Sequence, residues 1–363
     1  MSSVVIVYDA VIPHFLGNRI FDRDYSAQFP GASVMPCLYD LVTQRGWQMI
    51  TADVFLKNQP NFDLALCISE RVTPRTEQLI DRGVIPVVLT SGESPNVDWR
   101  FYHKISSYSQ KFKHAFLFRG TERYVKQPTQ FHTFFWPNAR RDVLPGPKWS
   151  EREFLVMVSA NKGRHSVVPN RPLVRMRRLA KRLIWNYLQV VDPLFRHKDL
   201  YKERLEAICY FSDHPGFKLF GKGWDQPSGL SKRYFRAVQR LDAKPVDDKL
   251  LVMSNFKFAL CFENCVFPGY VTEKIFDCFF AGCIPVYYGA PDITDFVPPE
   301  TFINFCQFQD ISDMNKYLFS LSDVDAFKYL ESARNFLSGV EFNKFHQDTF
   351  AQQLLEIIKK ESL

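Results

Sequence analysis

The sequence predicts an α/β protein built from two parallel-sheet domains. Apolar runs of strand length alternate with helical periodicity in the first part of the chain, and the same alternation resumes after a Pro145-Gly146-Pro147 stretch. The chain's 363 residues are enough for two domains of ordinary size.

Residues 4–8, 48–52, 64–68 and 85–89 read as strands, with helical spacing over 35–46 and 76–82 between them. An aromatic-rich block, 114–136, follows and ends at Pro137. The Pro-Gly-Pro stretch is the best linker, which places a boundary near 150. Beyond it, 154–159 reads as a strand, 201–210 as a helix, and Phe217–Phe220 as a strand entering the turn Gly221-Lys222-Gly223-Trp224. The expected division is a first domain over 1–150, a second over 151–345, and a terminal helix in 346–363 that packs back toward the first domain.

Residues 262–305 carry the densest chemistry. Phe256–Phe262 is a buried-strand run that passes through Glu263-Asn264-Cys265 and a Pro268-Gly269 breaker. From Thr272 the spacing turns helical through Ile275, Phe276, Phe279 and Phe280, Gly282 ends it, and Ile284–Tyr288 reads as the next strand. A helix that starts just after a strand presents unpaired N–H groups where parallel sheets bind anions. Thr272 is placed to cap it, and Lys274 lies in its first turn. A cation there is unfavourable by about 0.3–1 kcal/mol, so Lys274 calls for an anion such as a nucleotide diphosphate. The plainer alternative is a surface Lys274 paired with Glu273 or Glu300.

Composition narrows the class. With 46% hydrophobic and 15% aromatic residues and only 16 Gly, the chain is globular throughout. Eight Cys, mostly in apolar runs and without zinc-ligand spacing, read as buried reduced thiols. The first residues lack the basic start of a signal peptide, and no run is apolar for long enough to span a membrane, so a cytoplasmic protein is expected. The net charge of +7 is uneven: no acid occurs between Glu153 and Asp192, while Lys162, Arg164, Arg171, Arg175, Arg177, Arg178, Lys181 and Arg182 fall between them. Leu173, Met176, Ala180, Leu183 and Tyr187 keep helical spacing through that tract. Such a helix suits peripheral contact with an anionic inner membrane face through 164–182, or it is an internal helix with a solvated basic face. No nucleic-acid motif accompanies the charge.

The run Phe262-Glu263-Asn264, then Tyr270-Val271-Thr272-Glu273-Lys274, Ile284-Pro285-Val286-Tyr287-Tyr288-Gly289-Ala290-Pro291 and Phe302-Ile303-Asn304 closely resembles the signature of the family 10 α1,3/4-fucosyltransferases. That resemblance implies the GT-B fold, two Rossmann-like domains facing a central cleft, and inverting transfer of L-fucose from GDP-fucose to an oligosaccharide or lipid-linked glycan containing GlcNAc. It implies no cofactor and no divalent metal. It also implies that Lys274 binds the donor phosphates, that Glu273 lies beside the fucose, and that Asn264 and Tyr270 line the GDP pocket. The unanchored chain looks more like the bacterial members than the membrane-anchored animal and plant ones.

Two further residues follow from combining resemblance with chemistry. Arg204, in Tyr201-Lys202-Glu203-Arg204-Leu205, lies where the family carries a phosphate-binding Arg, whose fork can grip a phosphate with two N–H groups; taken alone it reads as a surface ion pair. Glu93 follows the strand at 85–89 in the loop Thr90-Ser91-Gly92-Glu93-Ser94-Pro95-Asn96 and looks like the catalytic carboxylate of the bacterial members. Partial enclosure would raise its pKa toward the range of a general base; a turn carboxylate capping backbone N–H groups is the alternative.

Other signals weaken on inspection. Asp323-Val324-Asp325 has the spacing of a metal-binding DxD but reads as a helix start, the scattered His103, His114 and His132 have no nucleophile in view, and the chain contains neither GxGxxG nor a P-loop. A transferase for another GDP-deoxysugar, and a non-catalytic glycan-binding protein, are the competing functions.

Overall fold

A computed structural model describes residues 3–161, 172–224 and 230–363. Lys162, Arg164 and Arg171 of the basic tract lie outside the described residues, as do the side chains of Arg175, Arg177, Arg178, Lys181 and Arg182. The chain forms two compact units, one of Met1–Arg140, Pro268–Glu273 and Glu341–Leu363, the other of Arg141–Phe267 and Lys274–Val340.

The first unit is a six-stranded sheet of β1 (Val4–Asp9), β2 (Gln48–Thr51), β3 (Leu64–Ser69), β4 (Ile85–Thr90), β5 (His114–Leu117) and β6 (Gln130–Thr133). Its strands are all parallel, in the order β2-β1-β3-β4-β5-β6. The four expected strands are present, and β5 and β6 emerge from the aromatic-rich block, each too short to show a period in sequence. Ala52 opens a helix, Ala52–Asn58, rather than closing β2. Val5 and Val7 of β1 pair in register with Ala65 and Cys67 of β3 and pack with Phe55 and Leu79 from the flanking helices. The Pro74–Asp81 helix starts on a capping box from Thr73, with Pro74 at its first position. The terminal helix, Gln347–Glu361, packs on Val34–Thr43, and its Phe350 meets Phe116 and Phe134 edge-on.

The second unit is a five-stranded parallel sheet of β7 (Glu153–Val158), β8 (Phe217–Phe220), β9 (Phe256–Phe262), β10 (Ile284–Tyr288) and β11 (Ile303–Asn304), ordered β11-β10-β9-β7-β8. Leu155, Met157, Phe258, Leu260, Ile284 and Val286 form its centre, covered by Leu205, Ile208 and Phe211 of the Tyr201–Phe211 helix. The Glu273–Phe280 helix buries Ile275, Phe276, Phe279 and Phe280, as its spacing predicts, and Gly282 turns the chain at φ +64°.

In open parallel sheets, ligands bind beyond the carboxyl ends of the strands where the strand order reverses. The reversal falls between β1 and β3 in the first unit and between β7 and β9 in the second. Among the described residues no helix is long and apolar enough to cross a membrane. Six of the eight cysteines are buried. The Asp323–Ser338 helix begins at the DxD sequence, and Ser322 rather than an aspartate caps it, accepting from the Asp325 N–H.

Candidate active site

At the reversal point of the second sheet, β7 leads into Ser159 and β9 ends at Phe262, and one guanidinium joins the two. Arg204, reached from the Tyr201–Phe211 helix, donates Nη1 to Ser159 Oγ at 3.4 Å and Nη2 to the Phe262 carbonyl at 2.6 Å and Asn264 Oδ1 at 3.2 Å. Its side chain is buried, not at the surface where its local sequence alone would put it. The always-protonated guanidinium thus lies at the sheet's carboxyl edge, with three oxygens of that edge among its partners. Arg204 and Asn264, sixty residues apart in sequence, therefore meet directly.

The loop after β7 is braced by the turn after β8. Asn161 donates its backbone N–H to the Lys222 carbonyl and its side-chain amide to that of Gly223, and Tyr201 Oη donates to Asn161 Oδ1. Gly221 is obligatory in this turn: at φ +139°, a Cβ would sit 2.1 Å from the Ser159 carbonyl oxygen. Trp224 Nε1 donates to that same oxygen.

Lys274 is paired with Glu263. Its Nζ donates to Glu263 Oε2 at 2.8 Å, and the Glu263 side chain is fully buried while Lys274 keeps 27% of its surface. Glu263 is the residue that sequence reasoning passed over, although a carboxylate one step beyond a seven-residue apolar strand is itself a signal. Its stem is wedged by Gly289, where a Cβ would lie 2.6 Å from Glu263 Cγ and 2.5 Å from Tyr287 Oη. The carboxylate holds the ammonium at the start of the Glu273–Phe280 helix, where the helix dipole alone would disfavour it. Glu273 is half-buried in the first turn of the same helix, on the favourable side of the dipole.

Lys198 is a further cation here, one that sequence reasoning missed. It donates to Tyr288 Oη at 3.0 Å, at the end of β10, and pairs with Glu203 at 2.9 Å. Burial works against its charge, yet the bonds to Tyr288 and Glu203 outweigh it and raise its pKa.

In the first unit the reversal point is filled from within. Asp9, fully buried, accepts from Arg75 Nε at 2.9 Å and from the hydroxyls of Thr73 and Thr76. Beside it Glu70 accepts from Tyr8 Oη and the Val11 N–H, and burial pushes the Glu70 pKa up. Glu93 is half-buried in the loop after β4, and Tyr102 Oη donates to its carbonyl at 2.7 Å. Around it, Thr90 Oγ1, Ser94 Oγ and both polar atoms of the Asn96 amide are buried without a protein hydrogen-bond partner, as is Trp136 Nε1. The Trp136 ring lies against Gly31 and Gly92, where a Cβ would approach it to 3.3 and 3.1 Å. Tyr270 is buried in this unit, its ring edge-on to Phe118 at 5.0 Å. The adjoining Gly269 turn, φ +69°, leaves only 3.0 Å between a Cβ and the Arg119 nitrogen. Among the described residues no three His, Cys, Asp or Glu side chains converge as a metal-binding group.

Residues 197–354, which span Arg204, Asn264, Tyr270, Glu273 and Lys274, match the family model described as Glycosyltransferase family 10 (fucosyltransferase) C-term. This segment is similar to the C-terminal part of the family 10 glycosyltransferases. Among curated relatives, the α-(1,3)-fucosyltransferase FucT of Helicobacter pylori is 35% identical over 117 residues, 31% of this chain and 24% of its own. An α-(1,4)-fucosyltransferase of Arabidopsis thaliana is 33% identical over 133 residues, 35% of this chain and 31% of its own. The chain thus spans about a quarter to a third of the length of these relatives. Solved structures match over nearly the whole chain. Anabaena Alr3699/HepE in complex with UDP and glucose has TM-score 0.55 at 10% identity, covering 99% of this chain and 100% of that one. An α-glucosyltransferase (AGT) in complex with UDP has TM-score 0.53 at 11% identity over the same shares. At such identity the likeness shows the fold alone: two Rossmann-like parallel-sheet domains of the GT-B kind.

Proposed function

We propose that the protein is an inverting α1,3-fucosyltransferase that moves L-fucose from GDP-fucose to a hydroxyl of a GlcNAc-containing glycan. One observation carries this reading. Within the segment that matches the family 10 model, Arg204 and the Lys274–Glu263 pair are built into the carboxyl edge of the sheet, Arg204 at the strand reversal and Lys274 at a helix start. Two cations on such an edge suit a diphosphate.

In the proposed reaction the acceptor oxygen bonds to the anomeric carbon as the bond from that carbon to the β-phosphate oxygen breaks. The electron pair of the broken bond leaves with GDP, where Arg204 and Lys274 offset the added charge. Glu93 takes the proton of the attacking hydroxyl. Glu273 stands beside the sugar ring and balances the positive charge that develops as the leaving group departs. Asn264 and Tyr270 belong to the GDP pocket in this reading, Asn264 through its bond to Arg204. Unpartnered polar atoms near Glu93 support a hydroxyl-rich acceptor, since each buried orphan costs about 1–3 kcal/mol until a partner arrives. An oligosaccharide or a lipid-linked glycan supplies such hydroxyls.

The test is transfer and hydrolysis with GDP-fucose beside GDP-mannose and a second GDP-deoxysugar, with the linkage of the product determined. Fucose transfer with inversion is expected. Preference for the other deoxysugar would reassign the donor, and glycan binding without turnover of any donor would make the protein a lectin-like binder.

A further inference from the structure

We infer that the Pro172–Val191 helix docks the protein on an anionic lipid surface. The amphipathic spacing of this segment has two readings, which differ in where the apolar side goes. A helix that is simply part of a domain turns its apolar stripe to the core and leaves its basic face in water. Here the stripe itself faces water: Met176, Leu183, Tyr187 and Val190 are 66%, 60%, 64% and 71% exposed. Ala180, Ile184 and Val191 beside them are exposed as well. The helix is held from another side, where Leu188 is buried and the Trp185 ring meets the buried Phe195 edge-on at 5.7 Å.

Those four side chains recur at spacings of seven, four and three, so they line one face over a rise of about 21 Å. Scattered apolar residues on a surface need no explanation, but an aligned stripe of this length marks an interaction surface. Charge identifies the partner. No acid lies between Glu153 and Asp192, and Arg175, Arg177, Arg178, Lys181 and Arg182 belong to the helix itself. A second copy seated on the same stripe would bring two such tracts together and repel. Nucleic acid would satisfy the charge but leave the stripe wet. The headgroup layer of a bilayer with anionic lipid takes both, apolar side chains into the acyl boundary and cations onto the phosphates. The inference is independent of the donor and of the reaction proposed above.

The experiment is co-sedimentation of the full chain with vesicles of phosphatidylcholine alone and of phosphatidylcholine mixed with phosphatidylglycerol, at low and high salt. Binding to the mixed vesicles only, weakened by salt, is expected. The variant Leu183→Asp/Tyr187→Asp, at two exposed positions, should keep the wild-type circular dichroism and melting temperature and bind at least tenfold more weakly. The inference is overturned by a protein that stays in solution with anionic vesicles, by equal binding to neutral ones, or by a double variant that binds as well as wild type. A dimer in sedimentation velocity that the same variant dissociates would make the occupant a second copy and overturn it too.

Discussion

Replacing Lys274 separates two effects that the Lys274–Glu263 pair combines. Lys274→Ala removes the ammonium from beside a carboxylate whose side chain has no solvent-exposed surface. Breaking a fully buried pair costs about 3–5 kcal/mol, and because Lys274 retains 27% of its side-chain surface, the lower end, about 3 kcal/mol, is appropriate. For a domain of this size that lowers the melting temperature by roughly 6–12 °C. Loss of leaving-group stabilisation lowers turnover by about 10²-fold, or roughly 2.7 kcal/mol of barrier, as a separate consequence. The variant Lys274→Met/Glu263→Met removes both charges while keeping unbranched stems, and such paired replacement is commonly neutral for stability. Thermal melts, GDP titration calorimetry and single-turnover transfer should show the double variant regaining most of the stability and none of the turnover. If turnover returns with stability, Lys274 is a structural partner of Glu263 and the phosphate role is wrong; a single variant that melts like wild type would show that the buried pair is not formed.

Arg204→Lys keeps the charge but loses the planar fork that reaches Ser159, Phe262 and Asn264 together, so GDP affinity measured by calorimetry should fall by at least tenfold, and affinity within twofold of wild type would remove Arg204 from the donor site. Glu93→Gln should leave GDP binding unchanged and reduce transfer by about 10²-fold or more, whereas lost GDP affinity would move Glu93 out of the acceptor role. The pKa values of His132, His197 and His346 are all held below the ordinary value by burial, so the folded chain binds fewer protons than the unfolded one just below that value. Stability is then full above about pH 6.5 and falls as the pH drops through and below it, and a flat melting temperature between pH 7.5 and 5.5 would contradict this. His132→Gln should shallow the slope.

Much of the candidate site is legible in the chain because its residues cluster at strand ends. Glu273 and Lys274 follow a strand and open a helix, and Phe262-Glu263-Asn264 closes the strand before it, so short-range spacing is enough to mark the place. Arg204 was visible only through family likeness, since its contacts with Ser159, Phe262 and Asn264 lie 45 to 60 residues away. Glu263 was visible as a residue but not as a partner, because an ion pair eleven residues apart depends on how the loop from β9 returns to the helix. Strands β5, β6 and β11, of four, four and two residues, are too short to carry a period.

The sequence by itself determined the class of the fold, since alternating strand and helix periods of these lengths can bury their apolar faces only in layered parallel sheets. It also fixed which residue types stand at the strand ends. Only the tertiary structure decided the order of the strands, and with it that Arg204 lies at the reversal between β7 and β9. The same holds for the Pro172–Val191 helix, whose spacing declares two faces without saying which one meets water. Periodicity is a local property of the chain, whereas strand order and the burial of a face depend on contacts between distant segments, and those form only when the sheets assemble.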